Sequence, residues 1–246
     1  MDRPFFCLTS DIDWASDYAI EDLIAIATGF SIKPTLFATH QSPALEKNLK
    51  NGRIEIGLHP NFLPGSTHGH DVAMVIEHIC GLFPKANAFR SHCFYSHFGV
   101  EEQMLKRHIR YDSNLSLYLQ PGIVPLRRTL GGSCLPVFWE DDVHWLNKGT
   151  WQADQYLAHF LTPGLKIINV HPFFIAANIP NQKYYLKIKD HIQTLSSDTV
   201  QNIRYQQSGA RTFLLDLLQA ITQQGHQFLT FSEMCAMFPL ENIIHQ

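Results

Sequence analysis

Carboxylates and imidazoles recur in this sequence in short groups, each just downstream of an apolar run. Asp11-Ile12-Asp13 follows FFCLTS, His59 closes IEIGLH, and Arg90-Ser91-His92 follows Ala88-Phe89. Glu140-Asp141-Asp142 follows CLPVFW, and His171 closes KIINVH. Two carboxylates one residue apart disfavour each other's ionised form unless a cation lies near them. A metal site, or a base beside a metal-activated water, accounts for such a pair. Neutral imidazole is a frequent ligand for zinc and similar ions, which makes His59 a candidate partner of the aspartates. The loop PGSTHGH adds an H-x-H pair, His68 and His70. Arg90 suits pairing with a catalytic carboxylate. His171, set among Val170, Pro172, Phe173 and Phe174, suits a general acid. The acidic group at 140–142 suits either binding substrate or orienting His171.

Other chemistries lose support. A calcium loop of the D-x-D-x-D-G type is broken at Ala15 and Tyr18. There is no GxGxxG, no Walker lysine motif and no GxSxG elbow, so dinucleotide, nucleotide and serine-hydrolase readings fall away. Lys plus Arg is 19 against 22 Asp plus Glu, a net charge of −3, which argues against a nucleic-acid binder with a basic face. Cys7, Cys80, Cys93, Cys134 and Cys235 are scattered, with no CxxC pair, and read as reduced thiols. The N-terminus has no secretory pattern, and the longest apolar stretch, Leu23 to Ala27, is far short of the roughly 20 residues of a membrane span. These features predict a cytoplasmic protein with no membrane span.

The 14 histidines are the odd feature of the composition. His78, His108, His159, His191, His226 and His245 fall on helices, turns or the tail. Those after apolar runs carry the chemical interest, and the elements that position them can be read from hydrophobic period. Strands are expected at Phe5–Ser10, Pro34–Thr39, Ile54–Leu58, Ala88–Arg90, Cys134–Trp139, Lys166–Val170 and Gln227–Phe231. A helix capped by Ser16 buries Ile20, Leu23, Ile24 and Ala27 and ends at Gly29. Asp71 caps a helix through Ile79, a short one covers Val100–His108, and a strong one runs from Ser208 to Gly225. With 45% hydrophobic residues and 246 in all, one domain over 1–246 is expected. Alternating strands and helices predict an α/β fold with a parallel sheet, closed as a barrel. In such barrels the reactive groups stand beyond the C-terminal ends of the strands. Asp11, Asp13, His40, His59, Arg90, His92, Glu140, His144, His171 and Glu233 all fall there.

In this order, the motifs resemble the polysaccharide deacetylase family, carbohydrate esterase family four, with its NodB-like domain. LTSDID resembles the family's first motif, PTLFATH the strand after it, and IEIGLHPNF the second, metal-binding motif. FRSH resembles the Arg-containing third motif, VHPFF the fifth, and FLTFSEM the last strand. The resemblance runs from residue 5 to about 235, nearest in style to a divergent branch tied to bacterial surface polysaccharides. It implies a distorted (β/α)7-type barrel holding a divalent metal, usually Zn2+, on an Asp-His-His set. Asp11 would be the base that activates water, His171 the acid that protonates the leaving amine, and Arg90 the group that orients Asp11. Asp13 and His59 would be ligands. The family's second histidine falls on Leu63 here, so the third ligand must come from elsewhere. His68 is the first choice, with His70 and His92 as alternatives. Asn61, His92, Tyr95, Trp139 and Asp141 are the expected substrate contacts. The substrate implied is a carbohydrate carrying an N-acylated, most simply N-acetylated, amino sugar. Two other readings stand beside this one: a different metallohydrolase barrel using His68 and His70, and a catalytically degenerate barrel that binds a glycan or a partner protein.

Overall fold

The central strand, β1 (Pro4–Asp11), is buried along its last six residues and carries side chains that pack on both faces of the sheet. A strand covered on both sides reads as a continuous apolar run rather than an alternating one. The computed structural model of the chain describes residues 1–239; His245 lies outside them.

From β1 the chain continues through α1 (Asp17–Gly29), β2 (Thr35–Ala38), α2 (Pro43–Lys50), β3 (Glu55–Leu58), α3 (Val72–Leu82) and β4 (Ala88–Phe89). Next come α4 (Phe98–Lys106), β5 (Tyr111–Asp112), β6 (Leu126–Arg127), β7 (Ser133–Cys134), β8 (Val137–Glu140), α5 (Asp141–Leu146) and α6 (Asp154–Phe160). The rest is β9 (Gly164–Val170), α7 (Pro172–Ala177), α8 (Gln182–Ile188), α9 (Ser197–Ile203), α10 (Ala210–Gln223), β10 (Phe228–Leu229) and α11 (Phe231–Met237). Ser16 caps α1 by accepting the Ala19 N–H at 3.3 Å, and the helix buries Ile20, Leu23, Ile24 and Ala27 as its period predicts.

Among the described residues the sheet has ten strands in the order β6-β7-β5-β4-β3-β2-β1-β9-β8, with β10 also paired to β1. All pairs are parallel except β6 with β7. The expected single strand Cys134–Trp139 is two strands. Pro136 has no N–H to give a ladder, and the chain breaks at Leu135-Pro136. The two halves join opposite ends of the sheet order, β7 beside β5 and β8 beside β9. Such a short connection brings the two ends of the curled sheet together. The stretch after β5 bridges the join: Val137 N–H donates to Leu115 O at 2.8 Å, and Leu117 N–H to Val137 O at 2.9 Å.

Register sets the site. Asp11 pairs with Phe37, Ala38 with Leu58, Leu58 with Phe89, Glu140 with Asn169, and Ser10 with Val170. The strand exits at Asp11, His59, Arg90, Glu140 and His171 therefore share one rim of the barrel.

Other expected boundaries shift as well: α4 covers Phe98–Lys106 rather than Val100–His108. The last strand stops at Leu229, because Thr230 and Glu233 cap α11 reciprocally: Thr230 N–H donates to Glu233 Oε2 at 2.7 Å, and Glu233 N–H to Thr230 Oγ1 at 3.2 Å. Glu233 thus belongs to a helix cap and not to the reactive rim. The strong helix starts at Ala210, with Gly209 N–H donating to Thr212 Oγ1 at 2.9 Å, and buries the expected stripe of Phe213, Leu214, Leu217, Leu218 and Ile221.

Candidate metal centre and active site

Beneath the rim the barrel interior is polar. Arg90, 0% exposed, donates through Nη1 to Asp11 Oδ1 at 2.8 Å and to Asn169 Oδ1 at 2.6 Å, and through Nη2 to Ser113 Oγ at 2.9 Å. Its guanidinium rests over the Phe37 ring, 4.3 Å from the centroid. Gly57 makes room for that ring, since a Cβ there would run into it. Asn169 donates through Nδ2 to Asp11 Oδ2 at 3.0 Å and to Glu140 Oε1 at 2.7 Å. Both oxygens of Asp11 are thus anchored, one by Arg90 and one by Asn169. Glu140 Oε2 has no partner. Burial, and then the nearby Asp142, push the Glu140 carboxyl well above the usual range.

Above Asp11 the chain turns sharply twice. Asp13 and Trp14 have φ of 41° and 56°, and Cys93 and Phe94 have φ of 54° and 52°. Left-handed backbone costs a non-glycine residue roughly 1–2 kcal/mol and collects at functional sites. These two turns set Asp13 Oδ1 3.0 Å from His92 Nδ1. His59 Nε2 lies 3.1 Å from the same oxygen, and its Nδ1 lies 3.7 Å from Asp11 Oδ1. Although His59 is 1% exposed, neither of its ring nitrogens makes a hydrogen bond. Two imidazoles and a carboxylate, with a buried imidazole otherwise unsatisfied, are a donor set that fits a divalent metal of the zinc type. Burial works against the Asp13 charge, but His59 and His92 hold its carboxyl well below the usual range. For His92, burial opposes the imidazolium while Asp13 favours it, and the balance is pushed up to about 10.

His171 stands across the cavity. Its Nδ1 faces Asp141 Oδ1 at 2.7 Å, its backbone N–H donates to Asp141 Oδ2 at 2.9 Å, and its Nε2 is 3.6 Å from Asp13 Oδ2. Burial disfavours the imidazolium, but Asp141 outweighs it, aided by Asp142 and Asp13, and holds His171 well above its ordinary value. With Nδ1 committed to Asp141, the Nε2–H is the proton on offer. A cavity of about 340 Å³ opens between Asp13, His92, Asp142 and His171 on one side and Trp145, Phe174 and Tyr185 on the other. Asp142 Oδ1 is buried without a partner, and burial, opposed by His171, raises the Asp142 carboxyl to about 6.

Several expected site residues lie elsewhere. His68 is not in the Asp13 cluster: its Nδ1 accepts the Asn61 N–H at 3.1 Å, and its ring packs against His78 at 5.3 Å and Trp14 at 5.6 Å. His92 occupies the place expected for His68. His70 is exposed in the glycine-rich loop, so His68 and His70 do not form a joint ligand pair. Trp139, 0% exposed, stacks on Phe213 at 4.8 Å and donates from Nε1 to His144 Nδ1 at 3.0 Å, deep in the core. His144 belongs to the same aromatic core: its Nε2–H donates to Thr150 O at 2.8 Å, and its Nδ1 accepts from Tyr118 Oη at 2.7 Å. Asp141 is fully buried, with its oxygens on His171 and the Asp142 N–H, so it does not reach a substrate. Asn61 Oδ1 accepts the Leu63 N–H at 3.0 Å, and Tyr95 packs on Phe62 at 5.5 Å; neither lines the cavity. His40 bonds Thr39 Oγ1 at 2.9 Å, outside the cluster. Asp142, within the acidic group expected to bind substrate or orient His171, lines the cavity, while Asn169 and Trp14 join the site without a motif of their own, although Trp14 stands directly after Asp13.

A mostly parallel curled sheet thus gathers an Asp-His-His cluster and a second Asp-His pair at one rim, at the C-terminal ends of its strands. Residues 8–189 match the model of the WbmS-like polysaccharide deacetylases. The chain belongs to that polysaccharide deacetylase family. A crystal structure from Bordetella bronchiseptica, described as a polysaccharide deacetylase involved in O-antigen biosynthesis, is similar at 31% identity and a TM-score of 0.78, over 89% of this chain and 90% of that one. A 4-alpha-glucanotransferase from Thermococcus litoralis shares the fold at 11% identity and a TM-score of 0.53, over 96% of this chain and 38% of that one. A family-four pseudoenzyme from Bacillus anthracis superposes at 13% identity and a TM-score of 0.46, over 95% of this chain and 69% of that one. No curated protein matches the sequence. Among the described residues no helix is long and apolar enough to cross a membrane.

Proposed function

We propose that this chain is a single-domain, metal-dependent hydrolase that removes an N-acyl group, most simply acetyl, from an amino sugar of a glycan or glycan precursor. The observation that carries the reading is the gathering of Asp13, His59 and His92 beside an Asp11 anchored on both oxygens and a His171 anchored by Asp141. Asp13, His59 and His92 would hold the divalent ion, Zn2+ being the ion that suits two imidazoles and one carboxylate. Such an ion supplies Lewis-acid polarisation of the acyl carbonyl and acidifies water.

The chain's own residues divide the proton work. Asp11 receives a proton from the attacking water, with Arg90 and Asn169 fixing its direction. The water oxygen bonds to the acyl carbon and the C–N bond breaks. His171 gives its Nε2 proton to the departing nitrogen, so an amine and a carboxylic acid leave; the acid ionises to acetate in water, and the proton taken up by Asp11 returns through solvent to His171. The cavity wall of Trp145, Phe174 and Tyr185 excludes water from one side of the reacting group. Five free cysteines suit a reducing compartment, which favours a cytoplasmic precursor as substrate.

The test is elemental analysis of the protein after metal loading, followed by acetate release from N-acetylated amino sugars. Binding of about one ion per chain with turnover that Asp11→Asn and His171→Ala abolish is expected. Absence of both ion and turnover overturns the reading.

A further inference from the structure

Beside the cluster of Asp13, His59 and His92 stands a second group of metal-ligand side chains. Asp11, Glu140 and His171 each bring a donor atom to within 4.8 Å of the other two, and their exposures are 3%, 3% and 8%. The two groups adjoin, since His171 Nε2 is 3.6 Å from Asp13 Oδ2 and 4.0 Å from Glu140 Oε1. Within the second group Glu140 is unfinished. Its Oε1 accepts from Asn169 Nδ2 at 2.7 Å, but its Oε2 is shielded from water and has no partner. A buried acceptor left so is rare in a folded protein. Arg90 spends its guanidinium on Asp11, Asn169, Thr9 and Ser113 and makes no hydrogen bond to Glu140. Five carboxylates, of Asp11, Asp13, Glu140, Asp141 and Asp142, thus gather around one guanidinium. One divalent ion at Asp13 leaves that group short of positive charge. The raised Glu140 carboxyl has the same origin, burial without a cation at hand.

We infer that Asp11, Glu140 and His171 form a second divalent-metal site, of the zinc type, whose filling switches the enzyme off. One imidazole nitrogen and two carboxylates suit zinc, whereas calcium and magnesium take oxygen ligands. His171 is already oriented for it: Nδ1 faces Asp141 Oδ1 at 2.7 Å, which leaves Nε2 as the ligating atom in a carboxylate–imidazole–metal chain. Inhibition follows from which atoms the ion takes. It occupies the Nε2 lone pair that must carry the proton for the departing nitrogen, and the Asp11 carboxylate that must receive the proton of water. The second site is the weaker one, because an ion there displaces the His171 proton and lies beside the positive charge of Arg90. Zinc should therefore activate at low concentration and inhibit at higher concentration.

The effect on turnover rests on the proposed deacylase reading; the site itself does not, and the test separates them. Zinc is titrated by calorimetry into the metal-stripped full chain, as wild type, His92→Ala and Glu140→Gln. We expect wild type to bind in two steps, the second at least about tenfold weaker. His92→Ala should lose the tight step, and Glu140→Gln should keep it and lose the weak one. Where Glu140→Gln does not fold, His171→Asn takes its place with the same expectation. A single step in wild type, or a weak step that both Glu140→Gln and His171→Asn retain, overturns the site. Acetate release from an N-acetylated amino sugar is then followed across the same zinc range. In wild type it should fall at least about tenfold as the weak site fills, and in Glu140→Gln the ratio of rates at low and high zinc should stay near one. Turnover that the second ion leaves unchanged overturns the inhibitory role. Two ions bound with no acetate released at any zinc level sinks the deacylase reading, and the inhibitory role with it, while the second site stands.

Discussion

Asp141 holds His171 at two points, accepting its backbone N–H on Oδ2 at 2.9 Å and facing its Nδ1 with Oδ1 at 2.7 Å. One carboxylate therefore fixes the ring's rotation, its tautomer and its affinity for a proton.

Asp141→Asn keeps the shape and removes the charge. His171, now held well above its ordinary value chiefly against the cost of burial, loses its main supporting partner and its pKa falls. An acid must be protonated to act, so activity is retained below its pKa and lost as pH rises through it. The alkaline limb of the kcat/KM profile should move to lower pH in Asp141→Asn, with a loss of about 10–100-fold at pH 7. An unmoved alkaline limb would show that His171 is not the acid.

Asn169 joins Asp11 to Glu140, with one amide group spanning two carboxylates. Asn169→Leu leaves two buried carboxyl oxygens and one Arg90 N–H without their partner. A loss of about 2–3 kcal/mol in urea unfolding is expected, and turnover should fall with kcat rather than KM, because Asp11 loses its aim while the cavity wall is untouched. A stability loss without any change in kcat would confine Asn169 to a structural role.

Much of this site is readable from the sequence for one reason: a parallel strand delivers the residue after its last apolar position to a common rim. His59, Arg90 and His171 obey that rule, and Asp11 reaches the same rim as the last residue of β1, past the polar Thr9 and Ser10. The third histidine does not, because the path of residues 60–70 depends on where the loop packs. Asn61 N–H captures His68, while the strained backbone at Cys93-Phe94 swings His92 toward Asp13. The two tryptophans near the acidic triplet differ by their element. Trp139 is inside β8 and points to α10, whereas Trp145 lies on α5 and faces the cavity. Asn169 hides within the apolar run KIINV, where its polarity reads as an interruption until β9 is seen to line the barrel interior. Pro136 is the sequence's one visible sign that CLPVFW supplies two strands.

Metal retention separates the two histidine assignments. His92→Ala and His59→Ala should lose the ion, while His68→Ala should keep it. A ligand bound only by the folded state stabilises by about 2.7 kcal/mol at a hundred times its Kd, so zinc should raise the Tm of wild type and of His68→Ala by several degrees, and of His92→Ala much less. A zinc-dependent Tm that His68→Ala abolishes, with His92→Ala unaffected, would move the site to the glycine-rich loop.

Asp142 carries an electrostatic cost in the folded protein. Burial raises its carboxyl to about 6 in the folded protein, against about 3.9 in an unfolded chain. The folded state thus holds the proton more tightly, and stability is lost as pH rises from about 4 through 6, where the carboxyl must ionise in a buried place. Asp142→Asn removes that penalty. Metal-free Asp142→Asn should be more stable than metal-free wild type at pH 8 by about 1–2 kcal/mol, and the advantage should shrink at pH 4. Because Asp142 lines the cavity and its Oδ1 has no partner, the same variant should raise KM for the amino sugar. Denaturant melts at the two pH values, read beside steady-state kinetics, check both halves; a variant less stable than wild type at pH 8 would show that the Asp142 carboxylate is paired rather than held in reserve for substrate.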